Sequence, residues 1–126
     1  MIGNEKRAIL LLGHGSRASD ANEAMYRVAQ DLKEQEVYSI IECAFLEMSS
    51  PDIATGLTTC KAQGAATILI IPYFLHLGMH VQRDLPQIIG QWHEANPEVA
   101  VKQGNHLGYS PLLTQLVQQR IDEAIS

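Results

Sequence analysis

The sequence predicts an α/β protein: a three-layer α/β/α sandwich on a four-stranded, mostly parallel sheet. Three observations predict it. Four short apolar runs alternate with four longer segments of helical period along the chain. The first and third runs are nearly continuous in hydrophobicity, as parallel strands covered on both faces are. The length, 126 residues with 46% hydrophobic, suits one domain over residues 1–126 with a single core and no covalent staples.

The elements follow in order. "RAILLLG" (7–13) reads as a strand of aliphatic residues. Met25, Val28, Ala29 and Leu32 recur at i, i+3, i+4, i+7 and predict a first helix over about 19–35, with Ser19 or Asp20 as its N-cap. "YSIIECAF" (38–45) is the second strand, and Pro51 opens a second helix that ends near Gly64. "ATILIIP" (66–72) is the third strand. A third helix starts around His80 and stops at Asn96 before Pro97, with Pro86 restricting where its regular part begins. "EVAVKQG" (98–104) is a weaker fourth strand. Ser110-Pro111 then starts a last helix, whose stripe is Leu113, Leu116, Val117, Arg120, Ile121 and Ala124.

Composition narrows the partners. The formal charge is −5 and the nine Lys and Arg are scattered, so no basic stripe invites nucleic acid or an anionic membrane. Lys6 and Arg7 precede a run too short for a signal core, and no segment approaches the ~20 apolar residues of a membrane span. Cys43 and Cys60 are too few for a disulfide framework and lack zinc-ribbon spacing; they read as small reduced core residues of a cytoplasmic chain.

In such a sheet, ligands bind beyond the carboxyl ends of the strands. The loop after the first strand carries Gly13, His14, Gly15, Ser16 and Arg17; the second, Glu47; the third, Tyr73, Phe74, Leu75, His76, Gly78 and His80; the fourth, His106. Each has a plain structural reading. His14 can cap a strand, Glu47 can complement the second helix's N-terminus, Phe74 and Leu75 can be core, and His106 an ordinary loop residue. His76 and His80 have ligand spacing, but Gly78 between them argues for a loop, and His93 reads as a solvated helix residue. Convergence on one sheet edge favours function. Imidazoles with a carboxylate suit Co²⁺, Fe²⁺, Ni²⁺ or Zn²⁺. A set that lacks thiolates and is open rather than closed fits a catalytic metal or one in transit. An ordinary imidazole pKa of about 6.5 also allows proton transfer near neutrality.

"GHGSRA" (13–18) also fits Gly-x-Gly-x-x-Ala, the dinucleotide fingerprint, in the right place between strand and helix. Against a nucleotide-binding protein stand the small number of strands and the His14 ring where a pyrophosphate would approach. Ser16 as a hydrolase nucleophile is weaker, because the turn is not Gly-x-Ser-x-Gly.

"GHGSR" (13–17), "AFLEMSSP" (44–51), "GAATILIIPYFLHLGMHVQRDLP" (64–86) and "LGYSP" (107–111) occur in the order of the small sirohydrochlorin chelatases. The chain resembles that family, of the CbiX/SirB type, over most of its length. Pro-x-Phe-Leu followed by Gly-x-His-Val-x-x-Asp-x-Pro is the most discriminating part. The resemblance implies a lyase that inserts a divalent metal into the tetrapyrrole sirohydrochlorin without ATP, in cobalamin or sirohaem biosynthesis. Cobalt is the first expectation, with iron or nickel as alternatives. The metal is substrate, and no permanently bound cofactor is expected. The family's motif histidines fall on His14 and His80, as catalytic residues and metal ligands, and a carboxylate used by related chelatases corresponds to Glu47. Ser16, Arg17, Tyr73, Phe74, Leu75, Gly78 and Arg83 form the expected substrate-binding set, the two arginines pairing with substrate carboxylates. Longer relatives hold two such lobes, so a single lobe implies a homodimer. A non-catalytic carrier of metal or tetrapyrrole would use the same residues.

Overall fold

A computed structural model describes residues 6–16 and 22–126. The elements alternate as β1 (Lys6–Gly13), α1 (Glu23–Glu34), β2 (Ile40–Phe45), α2 (Ile53–Ala62), β3 (Ala65–Pro72), α3 (Met79–Ala95), β4 (Ala100–Gln103) and α4 (Pro111–Ile125). The strands form one parallel sheet in the order β2-β1-β3-β4. β1 is central, and Leu11 lies between Cys43 of β2 and Ile71 of β3.

The continuous hydrophobicity of β1 has a simple cause. Ala8, Leu10 and Leu12 face one layer, with Leu57, Cys60, Leu85 and Trp92 of α2 and α3. Ile9 and Leu11 face the other, with Met25 and Ala29 of α1. Both sides are covered, so neither alternate set is polar. The predicted α1 stripe is also the buried one, with Met25 and Ala29 inside and Val28 and Leu32 against them.

Two boundaries differ from expectation, while α3 runs as expected but keeps a proline inside it. α1 starts at Glu23, and Asn22, at its N-cap position, makes no capping bond; the expected caps Ser19 and Asp20 lie outside the described residues. α2 opens at Ile53, not at Pro51, because the Pro51 carbonyl accepts the Phe45 N–H at 2.9 Å and Asp52 pairs with Phe45. The edge of β2 thus holds those residues, and Asp52 caps the helix by accepting from the Thr55 N–H at 2.9 Å. α3 carries Pro86 inside it, where the proline has no N–H to offer the preceding turn.

α4 begins as predicted, with Ser110 accepting from the Leu112 N–H at 3.2 Å. Its packing does not follow the expected layering. Every α4 residue except Leu113 is exposed. The two filled helix layers are α1 on one face and α2 with α3 on the other.

Candidate functional site

The loops after β1 and β2 continue the parallel ladder beyond the strands. The Leu46 N–H donates to the Gly13 carbonyl at 3.0 Å, and the Glu47 N–H to the His14 carbonyl at 3.2 Å. The Ser49 hydroxyl extends this zipper: it accepts from the Ser16 N–H at 3.1 Å and from the Asn22 side-chain amide at 3.0 Å, and donates to the Ser16 carbonyl at 2.8 Å. Two glycines make it possible. Gly15 has φ +100°, and a Cβ there would collide with the Glu47 carbonyl oxygen. At Gly13 a Cβ would stand 2.9 Å from Met25 Cε, so this glycine lets α1 approach the strand end.

The zipper carries Glu47 to His14. His14 Nε2 lies 3.4 Å from Glu47 Oε1, with the two side chains 66% and 58% exposed. The Phe74 ring meets His14 edge to face, with centroids 6.1 Å apart. His14 and Glu47 also line a cavity of about 380 Å³ with Leu46, Val81, Asp84 and His80 at the start of α3. Residues far apart in sequence, His14 and His80, thus border one space.

His80 is held by its own helix. The Arg83 guanidinium donates through Nη2 to His80 Nδ1 at 3.0 Å and through Nε to Asp84 Oδ1 at 3.1 Å. Because a guanidinium only donates, Nδ1 is an acceptor here, and a neutral ring carries its proton on Nε2. Asp84 was not anticipated as a site residue; its place four residues after His80 on α3 is the signal that could have found it.

The other expected residues divide. Phe74, Leu75, His76 and Gly78 join His14 around a neighbouring cavity of about 420 Å³. Tyr73 parts from Phe74 and Leu75: it packs on the α1 side and lines a separate recess with Gly13, His14 and Ser16. Arg17 lies outside the described residues. His106 is half-buried in the loop after β4, whose neighbour Leu107 donates to the Phe74 carbonyl at 3.0 Å. His93 is exposed as expected, but its Nδ1 is also 2.9 Å from the Val99 carbonyl and so ties α3 to the approach of β4. The Ser16 N–H, which a nucleotide phosphate would need, is committed to Ser49. Cys43 and Cys60 are free and buried, and burial pushes their thiols up to about 11 and about 12, with Glu42 adding to the rise at both.

Among the described residues no three His, Cys, Asp or Glu side chains are grouped closely enough to hold a metal ion. The CbiX family model matches residues 8–124. The chain belongs to the CbiX family. Among relatives, this CbiX chain is 42% identical over 83 residues to the sirohydrochlorin cobaltochelatase of Methanococcus aeolicus, a match covering 66% of the chain and 58% of that protein. It is 30% identical to the sirohydrochlorin cobaltochelatase of Methanococcoides burtonii, covering 97% of the chain and 99% of that protein. Among solved structures, the sirohydrochlorin chelatase SirB of Bacillus subtilis subspecies spizizenii, in complex with cobalt, superposes with a TM-score of 0.85 at 30% identity. That match covers 94% of this CbiX chain and 50% of SirB. The chain spans about half the length of several curated relatives it matches, from 39% to 58% for the first three. No helix among the described residues is long and apolar enough to cross a membrane.

Proposed function

We propose that the chain is a sirohydrochlorin chelatase, inserting a divalent cation into the macrocycle without ATP, with Co²⁺ the first candidate and Fe²⁺ or Ni²⁺ alternatives. The observation that carries the reading is the shared cavity of His14, Glu47 and His80 at the strand ends. Family membership over residues 8–124 supports it. The metal is substrate, and the reading requires no resident cofactor and no nucleic acid or membrane partner. A single domain working in the cytoplasm, as a homodimer, completes the proposal.

In this reading the ion enters the macrocycle as two protons leave its pyrrolic N–H groups. His14, with its ring open to solvent, takes the two protons one after the other and passes each to bulk water, and the Glu47 carboxylate 3.4 Å away offers a counter-charge to the transient imidazolium. His80 receives the ion. Its Nδ1 is engaged by Arg83 in the free protein, so ligation through that nitrogen needs the guanidinium to turn away. A substrate carboxylate is a suitable destination for it. Phe74 and Leu75 supply an apolar wall beside His14.

The test is to mix protein, sirohydrochlorin and Co²⁺ and follow the visible spectrum. Catalysed metallation is expected, strongly reduced in His14→Ala and in His80→Ala. Undiminished rates in both variants overturn the assignment, and stoichiometric binding without turnover would identify a carrier.

A further inference from the structure

His14 borders two cavities of opposite character. One holds Glu47 and Asp84 together with His80, and its carboxylates suit a cation. The other, of about 420 Å³, is lined by Phe74, Leu75, Gly78 and Val81 and by no carboxylate among the described residues. Besides His14, its one polar side chain is His76. The segment that carries His76 is fixed on each side: the Phe74 carbonyl accepts the Leu107 N–H at 3.0 Å, and the Leu77 carbonyl accepts the Gln82 side-chain amide at 2.7 Å. The ring itself is exposed and has no hydrogen bond or ion pair among the described residues. A Cβ at Gly78 would meet nothing within 4 Å, so the space beside it is open.

We propose that His76 binds a peripheral carboxylate of the tetrapyrrole and so fixes which edge of the macrocycle enters the apolar cavity. The inference rests on the chelatase reading above and adds a recognition residue to it. Ligand pockets are mostly apolar, with a few polar groups that set the ligand's orientation. The flat face of a macrocycle suits Phe74 and Leu75, but its charged rim needs a donor. An imidazole supplies one in either protonation state, since even the neutral ring keeps one N–H, and a bond to a carboxylate is charge-assisted. Charge also separates this role from that of an ion ligand. A cation is drawn to the Glu47 and Asp84 side of His14, and a substrate carboxylate is repelled from it. Because His14 borders both cavities, a macrocycle tethered at His76 is presented to the same ring that faces Glu47. The backbone ties at Phe74 and Leu77 hold His76 in place before substrate arrives, so little ordering is left for binding to supply.

The test measures binding of metal-free sirohydrochlorin, by its fluorescence, to the parent, His76→Ala and His76→Gln, with far-UV circular dichroism checking the fold. Binding of Co²⁺ without macrocycle is titrated in parallel. His76→Ala is expected to raise the Kd for sirohydrochlorin by about tenfold, the scale of one hydrogen bond to a charged group. His76→Gln, which keeps a donor, should recover part of the loss, and Co²⁺ affinity should not change. With the methyl-esterified macrocycle the difference between parent and His76→Ala should vanish. An unchanged Kd in His76→Ala overturns the inference. So does a penalty that persists with the ester, which would mean stacking, or a loss of Co²⁺ affinity in its place, which would make His76 an ion ligand. A parent that binds no sirohydrochlorin overturns the chelatase reading and the inference together; a parent and a His76→Ala variant that bind and metallate it equally well overturn the inference alone.

Discussion

Glu47 is tied to His14 twice: its backbone N–H donates to the His14 carbonyl at 3.2 Å, and its carboxylate oxygen lies 3.4 Å from His14 Nε2. The first tie is part of a backbone ladder and the second is side-chain chemistry, so the fold itself delivers the carboxylate. Replacing Glu47 by Gln keeps the ladder and removes the charge. A fall in metallation rate of about a hundredfold is expected, at the lower end of acid–base contributions. Initial rates at saturating substrate check it, and a parental rate would remove Glu47 from the proton path.

Gly15 is the turn's weakest point for substitution. Its φ of +100° and the Glu47 carbonyl in the way of a Cβ mean that Gly15→Ala must part the two loops. A stability loss of about 1–3 kcal/mol is expected from backbone strain of this kind. Urea unfolding measures it, and metallation should fall with it because Glu47 moves relative to His14.

The Arg83 guanidinium lies 3.0 Å from His80 Nδ1, so in the proposed reading it competes with the metal for that nitrogen. Arg83→Ala should therefore bind Co²⁺ more tightly in the absence of macrocycle, by about tenfold, the equivalent of one modest hydrogen bond of ~1.4 kcal/mol. It should also show a raised KM for sirohydrochlorin. Calorimetric titration and steady-state kinetics read the two effects; unchanged metal affinity would mean that the Arg83 contact does not gate the ring.

Both thiols are buried and displaced upward, to about 11 at Cys43 and about 12 at Cys60. A neutral thiol is a poor nucleophile. At neutral pH a thiol-specific alkylating reagent should label neither in the folded protein and both in denaturant. Mass spectrometry decides, and rapid native labelling would contradict the buried, structural role.

Asp52 caps α2 through the Thr55 N–H, and that hydrogen bond holds its carboxyl below the ordinary value. A depressed folded pKa means that the stabilising charge is present above the unfolded value of ~3.9 and is lost as pH falls through the folded one. Asp52→Ala should cost about 1 kcal/mol near neutrality, typical of a lost cap. Thermal unfolding at pH 7 and in acid should show the difference from the parent narrowing in acid.

Much was legible in the sequence because its cause is local or periodic. β1 appears as an unbroken aliphatic run, since a strand buried on both faces cannot alternate, whereas β3 is equally aliphatic although Leu69 and Ile71 on its second face are only half-buried. Ser110-Pro111 opens α4 where a capping hydroxyl and a fixed φ suit a first turn. The grouping of His14, Glu47 and His80 followed from strand order, because parallel strands all point their carboxyl ends to one edge. Pro51 misled because its competing partner, the Phe45 N–H, belongs to a distant strand.

By itself, the sequence determined which segments become strands and helices and which loops meet at one edge of the sheet, for these depend on side-chain period, caps and turns within a few residues and on strand order. Only the tertiary structure decided that Tyr73 parts from Phe74, that Arg83 engages His80 and that α4 stands away from its own sheet. Those outcomes depend on which surfaces of distant elements meet, and a hydrophobic stripe states that a helix needs cover without stating what supplies it.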